Sequence, residues 1–139
     1  MCLILIATNH HPFYPLIIAA NRDEFYHRPT APLAFWDDHP EILAGRDLQE
    51  MGTWLGVTKK GRIAAITNYR DPTDINPNAP SRGLLVSDFL ISDMPAEAYL
   101  NAIENSDKNY NGFNLVVGGI NQLRWYSNKK NILFLKPVF

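Results

Sequence analysis

Cys2 stands directly behind the initiator methionine, and its small side chain permits removal of Met1. The residue left at the N-terminus would then carry both a thiol and a free α-amine, a nucleophile with its own base. An α-amine has a reference pKa of about 7.7 to 8.0, so near neutral pH an appreciable fraction can accept the thiol proton. The thiolate can attack an amide or ester carbonyl. A lone cysteine at the start of an apolar strand also fits a small buried hydrophobe, and position alone does not choose between the two.

The second cluster is the tetrad Asn21, Arg22, Asp23 and Glu24, which comes after an apolar run without a break. If the strand continues through it, Asn21 and Asp23 share one face while Arg22 and Glu24 share the other. Arg22 can hold a substrate carboxylate through two acceptors at once, and Asp23 can orient the α-amine. An exposed, ion-paired turn has the same composition. Asn68 closes the run Ala64 to Asn68, where a carboxamide can donate to a developing oxyanion or bond its own backbone in a turn. Asn114 is a polar residue inside the apolar run from Phe113 to Val117, which calls for a ligand, a partner or a solvent-facing side. Trp36, Trp54 and Trp125 suit a core, and Trp54 can also line an apolar pocket.

Other chemistries find little support. His10 and His11 are neighbours in a turn, His27 and His39 lie in separate loops, and no zinc-ligand spacing occurs, so no metal is expected. Thirteen Lys and Arg against fourteen Asp and Glu leave no excess charge to hold a nucleic-acid backbone. No uninterrupted stretch approaches the roughly 18 apolar residues that cross a bilayer. No basic region precedes the apolar run Leu3 to Ala7, and the single cysteine fits a reducing compartment, so a cytoplasmic protein without an integral membrane segment is expected.

These residues need elements to position them. Cys2 to Thr8 and Leu16 to Ala20, separated by the turn-forming Asn9 to Pro15, predict a hairpin of two buried strands. Pro29 and Pro32 mark a loop, with a short strand at Glu41 to Ala44 before Gly45. Thr53 to Thr58 and Arg62 to Thr67, joined at Lys59, Lys60 and Gly61, form the clearest second hairpin. Asp71 to Pro80 reads as an irregular surface loop, with Ser81 able to cap the next helix. Leu84 to Ile91 suits that helix, and Pro95 can open another that carries Tyr99, Leu100 and Ile103 inward. Phe113 to Val117 and Leu123 to Tyr126 return to strand pattern, with an edge strand at Ile132 to Leu135. Strands, then helices, then strands argue for an α+β fold with mainly antiparallel sheets. With 139 residues, one domain is expected.

Several runs together resemble the NRDE family, whose eukaryotic members include the transport and Golgi organisation proteins. They are Met1 and Cys2, Asn21 to Glu24, Gly45 to Leu48, Gly52 to Gly56, Thr67 to Arg70, Ser81 to Gly83, Gly112 to Asn114, and Tyr126 to Asn128. The resemblance covers residues 1–128 and leaves 129–139 as a divergent tail. The family usually has two glycines before Thr53; Met51 takes the first place here and is expected to perturb a turn slightly. The family is similar to N-terminal nucleophile hydrolases of the penicillin V acylase and bile salt hydrolase type, which fold as an αββα sandwich. That resemblance implies Cys2 as nucleophile, Arg22 as a substrate contact, Asp23 orienting the amine and Asn68 in the oxyanion hole, with Asn21, Trp54 and Asn114 lining the ligand site. The hydrolases space their arginine and aspartate apart, whereas here the two are neighbours.

Two functions are expected on these grounds. One is hydrolysis of a small acyl or amide substrate with no cofactor. The other, implied by eukaryotic relatives, is non-catalytic handling of haem, lipid or acyl-CoA, with haem as a transported ligand. Family members are typically about twice as long, so the chain reads as the N-terminal half of the sandwich, from a truncated or frameshifted frame. Half a sandwich leaves a sheet face bare, and a homo-oligomer or partial folding is expected.

Overall fold

The computed structural model describes residues 2–69 and 71–129. The expected edge strand at Ile132 to Leu135 and all but the first residue of the tail lie outside them. Among the described residues, eight strands and two helices run in the order β1 (Ile4–Thr8), β2 (Leu16–Ala20), β3 (Thr30–Phe35), β4 (Ile42–Asp47), β5 (Leu55–Thr58), β6 (Arg62–Asn68), α1 (Gly83–Ile91), α2 (Ala96–Glu104), β7 (Phe113–Gly119) and β8 (Gln122–Ser127). β1 and β2 make a sheet of their own, and β3 to β8 form a six-stranded antiparallel sheet in sequence order. The fold is α+β with antiparallel sheets that do not close into a barrel.

Local chemistry sets the connections. Between β5 and β6 the chain turns at Lys59 to Gly61, where Gly61 takes a φ of +80°, open to glycine without strain. Its N–H donates to the Thr58 carbonyl at 2.9 Å, and Thr58 Oγ1 accepts from the Arg62 N–H at 3.1 Å. β6 then pairs with β7 over seven residues, from Arg62 opposite Gly119 to Asn68 opposite Phe113. The insertion between these two strands carries both helices.

The helices cover one face of the large sheet. Ile42, Ala44, Ala64, Ile66, Phe113, Leu115 and Val117 meet Leu85, Val86, Phe89 and Leu90 of α1 and Tyr99 and Leu100 of α2 in one buried cluster. Tyr99 ties the helices together by donating its hydroxyl to the Leu85 carbonyl at 2.7 Å. Arg62 closes the C-terminal end of α1, donating to the carbonyls of Phe89 and Met94, both at 2.9 Å, with its guanidinium over the Phe89 ring. The basic group satisfies carbonyls that a helix end leaves unpaired.

Three expectations are corrected. β3 is a strand where the prolines predicted a loop: Pro32 sits on the edge strand, between Ala31 and Ala34, where the register against β4 shifts. An edge position tolerates proline because one row of N–H groups has no partner strand. β4 runs on past Ala44 through Gly45 to Asp47. Ser81 does not cap α1 through its side chain; the helix starts after Arg82 without a side-chain cap.

Candidate functional site

Beyond Ala20 the chain leaves the hairpin and runs irregularly from Asn21 to Phe25. Strand alternation therefore stops binding the tetrad, and the neighbours Arg22 and Asp23 line the same pocket, of about 210 Å³. Cys2, Glu24, Trp54, Asn68 and Arg82 line it as well. Cys2 is half-buried and locked to the tetrad: the Asp23 N–H donates to Sγ at 3.4 Å and the thiol faces the Asp23 carbonyl at 3.8 Å. Asn21 holds the entry to the hairpin, its Oδ1 accepting the Leu3 N–H at 2.8 Å and its own N–H reaching the Leu3 carbonyl at 3.2 Å.

The large sheet supplies the other wall. Asn68 is the last residue of β6 and shares the helix-side face with Phe113, its cross-strand partner. Asn114 pairs with Thr67 on the opposite face and donates to Thr67 Oγ1 at 3.3 Å, so it does not line this pocket with Asn68. Trp54, just before β5, lies under the Arg22 guanidinium, 4.4 Å from its ring centroid. The cation over the ring is attracted by its π-face. Gly45 makes room for that indole: a Cβ there would come within 2.7 Å of the ring.

Three charged residues of the pocket were not singled out as site residues in the sequence. Arg28 donates from Nε and Nη2 to Oδ2 of the buried Asp47, at 3.0 and 2.6 Å. Burial pushes the Asp47 carboxyl up, but Arg28 and the Gln49 N–H outweigh it and hold the carboxyl below its ordinary range. Arg82 donates to the Gly112 carbonyl at 2.8 Å. Burial lowers its pKa, with Glu24 opposing, and a guanidinium so shifted is still charged at neutral pH. Asp47 and Arg82 fall in runs that carried the family resemblance; Arg28 had no signal beyond its charge.

The loop before α1 borders this pocket. Ala79 and Pro80 line it, and Asn111 clamps the loop that leads to them, exchanging two hydrogen bonds with the Asn76 backbone at 2.8 and 2.9 Å. Lys129 pairs with Asp74 in the same loop.

Trp54 also borders a second, larger cleft of about 610 Å³, lined by Ile18 of β2 and by Pro32, Leu33, Leu43, Leu55 and Val57 of the large sheet. This cleft lies on the sheet face turned away from the helices. Its lining is mostly apolar. Among the described residues no group of His, Cys, Asp and Glu is arranged to hold a metal ion, and no helix is long and apolar enough to cross a membrane.

The chain matches the family described as Transport and Golgi organisation 2 over residues 1–137. It is 45% identical to the Transport and Golgi organization protein 2 homolog of Bos taurus over 127 residues, which cover 86% of this chain and 46% of the relative. With the Homo sapiens homolog it shares 39% identity over 141 residues, 93% of this chain and 51% of that one. The Drosophila melanogaster protein of the same name is 34% identical over 131 residues, 84% of this chain and 45% of its own. The chain thus spans about half the length of the curated relatives it matches. With a match over nearly its whole length, it belongs to the NRDE family of Transport and Golgi organisation 2 proteins.

Proposed function

We propose that the pocket around Cys2 is an acyl-transfer site of the N-terminal nucleophile kind, hydrolysing an amide or related acyl compound. One observation carries this reading: the thiol of Cys2 opens onto the same pocket as Arg22, Asp23 and Asn68. Removal of Met1 frees the α-amine of Cys2, which takes the thiol proton as Sγ attacks the substrate carbonyl. The carbonyl oxygen becomes an oxyanion that Asn68 stabilises by donation from its carboxamide. Collapse breaks the bond to the leaving group, which departs with the proton from the amine. Water, deprotonated by the amine, then cleaves the thioester and releases the acid. Asp23 keeps the amine in place and Arg22 holds an acidic group of the substrate. A reducing, cytoplasmic setting would keep the thiol free.

The test has two parts. Intact mass should show loss of Met1, and an activated acyl ester should leave one acyl group on the protein, absent in Cys2→Ala. Active protein that retains Met1 would sink the reading.

A second reading rests on the apolar cleft, whose volume falls in the roughly 300–1,000 Å³ range of small-ligand pockets. Here the protein carries a ligand without changing it, in keeping with relatives named for transport and Golgi organisation. The described lining offers no His, Cys, Met or Tyr to hold haem iron, so a lipid or acyl-CoA chain fits it better than haem. Titration with haem and with an acyl-CoA separates the cases, and no saturable change in absorbance or Trp fluorescence with either removes this reading.

A further inference from the structure

Arg28, Arg46 and Arg124 each meet a carboxylate, of Asp47, Asp38 and Glu97. Arg62 spends its donors on helix-end carbonyls. Arg22 and Arg82 differ: both line the Cys2 pocket, and neither forms an ion pair among the described residues. Arg82 is nonetheless fixed in place. It stands just before α1, and its Nη1 donates to the Gly112 carbonyl, which also accepts the Tyr69 N–H at 2.9 Å at the end of the β6–β7 ladder. Its Nε and Nη2, the same two donors that Arg28 gives to Asp47, have no acceptor among the described residues. A half-buried guanidinium with that edge unspent is stabilised by an anion that takes both donors at once.

Charge and size narrow the anion. Within the pocket Arg28 and Asp47 neutralise each other, and in the acyl-transfer reading Asp23 serves the α-amine. Arg22 and Arg82 then stand against Glu24 alone, an excess of one positive charge, which matches a monoanion. The volume of about 210 Å³ is below the roughly 300 Å³ at which small-ligand pockets begin, so only a short group enters beside the thiol. We infer that Arg82 is a specificity-determining residue of the Cys2 site: with Arg22 it grips a carboxylate on a short acyl substrate, close to the carbonyl that Sγ attacks. The substrate class, short acyl compounds bearing one carboxylate, rests on the acyl-transfer reading; the anion site itself rests on the two arginines.

Iodoacetate and iodoacetamide are nearly the same size and differ in charge, and Cys2 is the single cysteine of the chain, so its alkylation by each, followed by intact mass, tests the anion site. In the wild-type chain the ratio of the iodoacetate rate to the iodoacetamide rate should exceed that of free cysteine by about tenfold, the effect of one charge-assisted hydrogen bond. Arg82→Met should return the ratio to that of free cysteine and leave the iodoacetamide rate unchanged, which a merely structural loss would not do. Arg82→Lys should keep part of the preference. A wild-type ratio equal to that of free cysteine, or a high ratio that survives Arg82→Met, would overturn the inference. Inorganic phosphate that slows iodoacetamide more than butyrate does at the same concentration would overturn the choice of a carboxylate. A preference for iodoacetate without acyl transfer from an activated ester sinks the acyl-transfer reading and keeps the anion site.

Discussion

The six-stranded sheet with its two helices and the two-stranded hairpin are built on opposite terms. In the first, Phe89, Leu100, Phe113 and Leu115 are fully buried in one cluster. In the second, every residue of both strands keeps some contact with solvent. Yet the candidate site draws on both: the hairpin end brings Cys2, the chain leaving β2 brings Arg22 and Asp23, the sheet brings Asn68 and Asp47, and the start of α1 brings Arg82. The difference teaches where precision comes from. Groups on a rigid sheet are held within narrow limits, whereas Cys2 lies at the half-exposed end of the hairpin, held through the Asp23 backbone, with Asn21 tethering the adjacent Leu3.

The largest expected effect tests that contrast directly. Phe89→Ala should cost about 3–5 kcal/mol, the range for removing a buried aromatic ring. Leu5→Ala on the outer face of the hairpin should cost less than about 0.5 kcal/mol, as exposed substitutions do. Urea unfolding of both variants measures the pair. Similar losses would show that the hairpin is as firmly packed as the sheet, and the contrast would fall.

A smaller effect concerns the sheet-side charges. Asp47 titrates below its ordinary value in the folded state, so it contributes stability that is full above the unfolded carboxylate pKa of about 3.9 and is lost as pH falls through the lower folded pKa. Arg28→Met removes the hydrogen-bonding cation and leaves burial opposed mainly by backbone N–H groups. The variant should lose about 1–3 kcal/mol at pH 7, and its acid unfolding should begin at higher pH. Thermal unfolding measured from pH 3 to 7 reads both. A loss that stays constant across that window would mean the pair acts through packing and not through charge.

Legibility in the sequence divides along the same line. Periods of two and of 3.6, with the Lys-Lys-Gly turn, placed β5, β6, β7 and both helices, because local pattern and burial agree there. β3 escaped because Pro32 reads as a breaker unless the strand is known to be an edge. Gly45 read as a terminator when its reason is spatial: the indole of Trp54 lies against it. Within the site, Cys2 and the tetrad stood out by position and composition. The pairing of Arg28 with Asp47, and the separation of Asn114 from Asn68 onto opposite faces, depend on register and long-range packing that no local pattern carries.

The smallest effect lies in the turn after β4. Met51 has a φ of +61°, a left-handed conformation that costs a residue with a Cβ roughly 1–2 kcal/mol. Its N–H donates to the Asp47 carbonyl at 2.8 Å and the Asp47 N–H reaches Gly52, so the turn is fixed from both sides and cannot relax into a cheaper shape. The side chain is 49% exposed and gives little packing in return. Met51→Gly relieves the strain but adds freedom to the unfolded chain, which offsets about 0.4–1 kcal/mol. The net should be a stabilisation of up to about 1 kcal/mol, whereas Met51→Val, branched at Cβ, should destabilise. Because this turn adjoins Asp47 on the rigid side, both changes should move the unfolding midpoint and leave hairpin amide exchange as it was. A shift in the exchange of Leu3 or Ile17 would show that the two regions are coupled through the pocket they share.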